Sequence, residues 1–127
     1  MDTQTAQIQK KLQVELDSFK ATQKEYSKMV QQRQLLDGQL NENKSVLEEL
    51  NKLTEDKNTV YKLIGPILVK QSLQDSQQNI SKRIDFIGKE LQKCNDRLNG
   101  MEKEQDKHRE NLGKLQQQLN VLQAMKA

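Results

Sequence analysis

Val60-Tyr61-Lys62-Leu63-Ile64-Gly65-Pro66-Ile67-Leu68-Val69-Lys70-Gln71 divides the chain into two halves that both read as helix. It holds the sole Pro of the 127 residues, directly after a Gly. Each side of Gly65-Pro66 is a short apolar run interrupted by Lys, and two such runs joined by two bend-forming residues specify a tight hairpin. Gly65 at the first corner supplies a positive φ, while Pro66 at the second keeps φ negative, a combination that suits a type II′ turn. The expected pairs are Ile64 with Ile67, Leu63 with Leu68 and Lys62 with Val69.

Upstream, from about Thr5 to Leu53, there is no Pro and a single Gly, Gly38. Lys, Gln, Glu and Leu dominate, all good helix formers. Stepping alternately by three and four residues lands on Ile8, Leu12, Glu15, Phe19, Thr22, Tyr26, Met29, Arg33, Leu36, Leu40, Asn43, Leu47 and Leu50. Most are apolar, which makes an interrupted heptad stripe. Downstream the stripe is cleaner. From Leu73 it runs through Gln77, Ile80, Ile84, Ile87, Leu91, Cys94, Leu98, Met101, Gln105, His108, Leu112, Leu115, Leu119 and Leu122. A seven-residue repeat held this long implies a left-handed supercoil with a partner helix. Ser72 and Asp75 ahead of it have the spacing of a capping box.

The two stripes share one register. Leu12 with Leu119, Phe19 with Leu112, Leu40 with Leu91 and Leu47 with Ile84 have the same index sum, 131, as do the hairpin pairs Ile64–Ile67 and Leu63–Leu68. The alternate layer, Ile8 with Leu122 and Met29 with Met101, has 130. Only a chain folded back at Gly65-Pro66 gives a constant sum. The fold expected is mainly α: a long antiparallel two-helix coiled coil joined by a single β-hairpin that enters an intersubunit β-barrel. Residues 1–127 form one domain, with helix one at about 5–56, the hairpin at 59–71 and helix two at 73–125. At about 1.5 Å rise per residue the rod is about 70 Å long. His108 falls opposite Thr22 and Gln105 opposite Tyr26, polar layers of the kind that set register.

Composition narrows the function. Hydrophobic residues make up 33% and charged residues 31%, against about 45–50% apolar in a globular domain. That excludes a spherical core. The net charge of +3 comes from interspersed signs and favours no charged partner. One Cys forms no internal disulfide, which fits a reducing compartment. No apolar run approaches a membrane span, and Met1-Asp2-Thr3-Gln4 lacks the form of a signal peptide. A cytoplasmic protein is expected. A lone His, no Gly-rich phosphate loop and no metal-ligand cluster argue against an enzyme and against a cofactor. His108 reads as structural and Cys94 as a small buried hydrophobe.

Two surfaces remain. A two-stranded hairpin is marginal in water and leaves both edges open to another chain. Val60, Ile64, Ile67 and Val69 lie on one face and Tyr61, Leu63 and Leu68 on the other, more than one coiled coil covers. Closing several hairpins into a barrel removes the edges, so this segment is read as an assembly device rather than a connector. At the far end of the rod both termini meet. Val14, Leu16, Val121 and Met125 lie off the stripe there, beside Ile8, Leu12, Leu119 and Leu122. Together they form a greasy tip suited to varied partners, although ordinary shoulder packing explains each position singly. Two rival classes are a scaffold coiled coil without binding activity and a nucleic-acid-binding arm. The second needs a basic stripe, and Asp85, Glu90 and Asp96 interrupt the run Lys82-Arg83, Lys89, Lys93 and Arg97.

Gln39-Leu40-Asn41-Glu42-Asn43, Val46, Glu49-Leu50, the hairpin, Lys82-Arg83-Ile84-Asp85-Phe86-Ile87 and Glu90-Leu91 together resemble the β class of prefoldin subunits. The resemblance implies an ATP-independent co-chaperone: a hetero-hexamer of two α-class and four β-class subunits whose hairpins form a double β-barrel. It further implies that the coiled-coil tips hold non-native proteins, actin and tubulin chains among them, and pass them to the cytosolic chaperonin. One hairpin rather than two supports the β class.

Overall fold

The structure, a computed structural model, describes residues 3–53 and 60–126. Helix α1 spans Thr3–Asn51 and α2 spans Leu73–Lys126, with strands β1 (Val60–Ile64) and β2 (Ile67–Gln71) between them. The strands pair antiparallel, with Ile64 opposite Ile67, Leu63 opposite Leu68 and Lys62 opposite Val69. This is the register expected from the turn. Gly65 has φ +58° and is the sole positive-φ position among the described residues. A positive φ at the first corner alone is the type II′ signature and excludes type I′.

Two compact units make up the chain: residues 1–31 with 95–127, and residues 32–94. In the first unit the N-terminal part of α1 runs antiparallel to the C-terminal part of α2. Lys126 donates to the Thr5 hydroxyl at 3.0 Å, and Thr22 lies 3.4 Å from His108, both on the expected register. Its core holds Leu98 and Met101, each 2% exposed, and Leu119 at 8%. The second unit contains the hairpin and a core of Leu36, Ile87, Leu91 and Cys94. Within each unit every stepped position is buried or half-buried, because the heptad repeat keeps those side chains turned toward the facing helix.

Helix ends follow local chemistry. The Ser72 hydroxyl accepts from the Asp75 amide at 3.0 Å, the first arm of the capping box. The Asp75 carboxylate lies in the first turn, where negative charge suits the helix dipole. At its other end α1 stops at Asn51, short of the boundary expected near 56. There the amides of Lys52 and Leu53 bond the carbonyls of Glu49 and Leu50, three residues back, a tightened last turn. Gln77 of α2 adds bonds to the Leu50 carbonyl at 3.5 Å and to the Asn51 side chain at 3.1 Å. A long-range side chain thus caps the helix, which propensity alone does not reveal. Residues 54–56, also expected to be helical, lie outside the described residues.

Candidate functional site

The hairpin is exposed on both faces. Tyr61, Leu63 and Leu68 on one face are between 57% and 66% exposed. Ile64, Ile67 and Val69 on the other are between 42% and 63%, with Val60 half-buried. Among the described residues the sheet has two strands, which leaves the outer N–H and C=O groups of each strand open to pairing there. Natural sheets rarely leave apolar strands in this state. These seven residues, singled out as the assembly segment, therefore form two apolar faces of one strand pair.

The residues expected at the tip divide into three groups. Val14, Val121 and Met125 are 59%, 52% and 77% exposed. Ile8, Leu12, Leu16 and Leu122 are half-buried. Leu119 is buried at 8%, packed in the seam and unavailable to a partner unless the helices part. One groove of this unit is lined by Val14 and Leu115 together with Lys10, Lys11, Glu15 and Lys114. A neighbouring groove is lined by Ile8, Val121 and Leu122. Leu12, Leu16 and Leu112 line a third.

Sequence reading overlooked three exposed apolar side chains of the second unit: Leu35 at 56%, Val46 at 45% and Phe86 at 65%. A signal was present. With the stripe lettered a and d, Leu35 and Phe86 fall at c and Val46 at g. Val14 and Val121 likewise fall at c, and Met125 at g. In an antiparallel pair the g positions of both helices meet on one flank and c lies next to them. Glu25 and Arg97, both g, are joined at 3.4 Å. In each unit the exposed apolar residues of the helices therefore collect on the g–c flank.

The seam of the first unit also carries a polar cluster. His108 Nδ1 donates to the Glu15 carboxylate at 2.6 Å, and Asn111 donates to the same oxygen at 3.2 Å. The Thr22 hydroxyl beside Nε2 donates to the Ser18 carbonyl at 3.1 Å. Phe19 meets the imidazole edge-on at 6.2 Å between ring centres, with the Arg109 guanidinium 5.5 Å from the Phe19 ring. The hydrogen bond from His108 holds the Glu15 carboxyl below its ordinary value of 4.5; burial opposes it and Asn111 reinforces it. A carboxyl with a lowered folded-state value contributes stability above the unfolded value and loses it as pH falls through the folded one. The stability difference between wild type and Glu15→Gln is therefore expected to be full near neutral pH and to shrink below 4.5. Thermal unfolding of both proteins across that range measures it, and a constant difference would contradict the pairing.

Among the described residues no group of three or more His, Cys, Asp and Glu could hold a metal ion. No helix there is long and apolar enough to cross a membrane. Among the described residues the exposed features are apolar side chains on the helices and on one strand pair.

The family model for prefoldin subunits matches residues 13–119. The chain belongs to the prefoldin family and is a chaperone subunit of that kind. Among its relatives are proteins named prefoldin subunit 6. A probable prefoldin subunit 6 of Drosophila melanogaster is 54% identical over 125 residues, 98% of this chain and 99% of the relative. Prefoldin subunit 6 of Homo sapiens is 42% identical over 120 residues, 94% of this chain and 92% of the relative. The crystal structure of the prefoldin beta subunit from Thermococcus strain KS-1 superimposes with a TM-score of 0.59 at 26% identity. The match covers 88% of this chain and 91% of that one. Family membership implies assembly with other prefoldin subunits.

Proposed function

We propose that this chain occupies a β-class position, that of subunit 6, in a cytoplasmic hetero-hexamer of two α-class and four β-class subunits. It holds non-native proteins such as actin and tubulin chains and passes them to the cytosolic chaperonin without nucleotide, cofactor or catalysis. The observation carrying this reading is the exposed apolar hairpin. Its two open edges and two greasy faces suit closure into a barrel with neighbouring hairpins.

Client capture falls to the other unit. Val14, Val121 and Met125 are exposed as the protein stands, and Ile8, Leu12, Leu16 and Leu122 broaden that surface from the grooves. Leu119 supports it from within. Each contact contributes about 25 cal/mol per Å² of apolar area before the cost of association. A single tip therefore binds weakly, and several tips acting on one client gain avidity through effective concentration. Weak individual contacts also permit release without ATP.

The test is the triple variant Val14→Ser, Val121→Ser and Met125→Ser, reconstituted with the remaining subunits. All three side chains are exposed, so assembly is expected to be unchanged. Suppression of aggregation of diluted, denatured actin is expected to weaken by about tenfold. Wild-type protection from an assembled variant would exclude these residues as the client surface.

A further inference from the structure

We propose that the g–c flank of the helices beside the hairpin is a second contact for a neighbouring prefoldin subunit, continuous with the hairpin and shaped for an acidic segment carrying an apolar side chain. The proposal rests on the reading of the hairpin as the assembly segment. Val46, Tyr61, Lys62, Ser76, Lys82 and Arg83 line a groove between β1 and the two helices of the second unit. Val46 remains 45% exposed there, and Phe86, one turn beyond Lys82 on α2, is 65% exposed.

Three observations describe the occupant. Among the described residues the groove lining contains no carboxylate, and Lys62, Lys82 and Arg83 form no ion pair. Three clustered cations with no ion-pair partner among the described residues favour an acidic partner. The Ser76 hydroxyl is buried, in a residue 6% exposed, and has no hydrogen-bond partner among the described residues. A buried hydroxyl in this state is unfavourable until a neighbour supplies a polar atom. Finally, Val60, Tyr61 and Lys62 belong to both the groove and the open β1 edge. A chain that pairs with β1 runs past Val60 into this groove. That continuity selects an adjoining subunit as the occupant, with Phe86 as an aromatic anchor of the kind that dominates interface energetics.

Hydroxyl-radical footprinting of Val46 and Phe86, in the chain alone and in the complex reconstituted with the other prefoldin subunits, tests the proposal. Both residues are expected to be oxidised in the chain alone and protected in the complex. Phe86→Ser and Arg83→Glu each replace an exposed side chain, so the helical content of the chain is expected to be unchanged. Each is expected to weaken assembly by about tenfold, and the Arg83→Glu deficit to diminish in high salt. Protection already present in the chain alone would overturn the proposal. Protection appearing only on addition of unfolded client would overturn it equally, as would unimpaired assembly of both variants. Ile67→Asp separates the two readings. If it blocks assembly while the flank variants do not, only the flank fails; if it assembles normally, the hairpin reading itself fails.

Discussion

Ile67→Asp is expected to abolish assembly with other prefoldin subunits while leaving the helices of the chain folded. Ile67 is 63% exposed and pairs with Ile64 across the type II′ turn. In the free chain an aspartate there meets water and costs little. In a barrel built from several hairpins the same carboxylate lies against apolar neighbours, where an unpaired charge costs several kcal/mol. The variant therefore separates folding from assembly. Native mass measurement should find the isolated chain, and circular dichroism should find wild-type helix content. A full-sized complex containing the variant would show that the hairpin is not the joint between subunits.

Leu98→Ala is expected to act in the opposite sense. Leu98 is 2% exposed in the seam of its unit, with Met101, also 2% exposed, one step along the stripe. Truncation removes transfer energy and leaves a cavity, for a loss of about 2–5 kcal/mol. Whole domains are stable by about 5–15 kcal/mol, so this is a large fraction. A urea titration should show a lower midpoint at unchanged slope. Val14→Ala serves as the comparison, because its side chain is 59% exposed and surface truncations change stability by about 0.5 kcal/mol or less. Equal losses for the two would mean that position 98 is not in a packed seam.

The two-helix architecture and its register were legible in the residues, and so was the hairpin. A heptad repeat states which side of a helix is dry, and Gly65-Pro66 states where the direction reverses. Both are short-range constraints, written within a few residues. The same logic placed Thr22 beside His108. It did not supply Glu15 as the acceptor for His108 Nδ1, because that bond depends on how far a side chain reaches across the helices. Nor did it anticipate Gln77 capping α1 at Asn51, since the donor comes from the other helix. Leu119 was expected at the tip surface because Leu is greasy; its seam position, already evident in the repeat, places it inside.

By itself, then, the sequence determined the period of each helix, the point of reversal, the pairing of the strands and membership of the prefoldin family. The first three depend on backbone preference and on the alternation of apolar and polar residues; the last rests on the particular residues that the prefoldin family model matches over 13–119. Only the tertiary structure decided which apolar side chains beside the seam remain uncovered, Val14, Val46, Phe86, Val121 and Met125 among them, and which polar ones find partners. Exposure is a property of two surfaces together: a side chain next to the seam is covered or left open according to the residue facing it from the other helix.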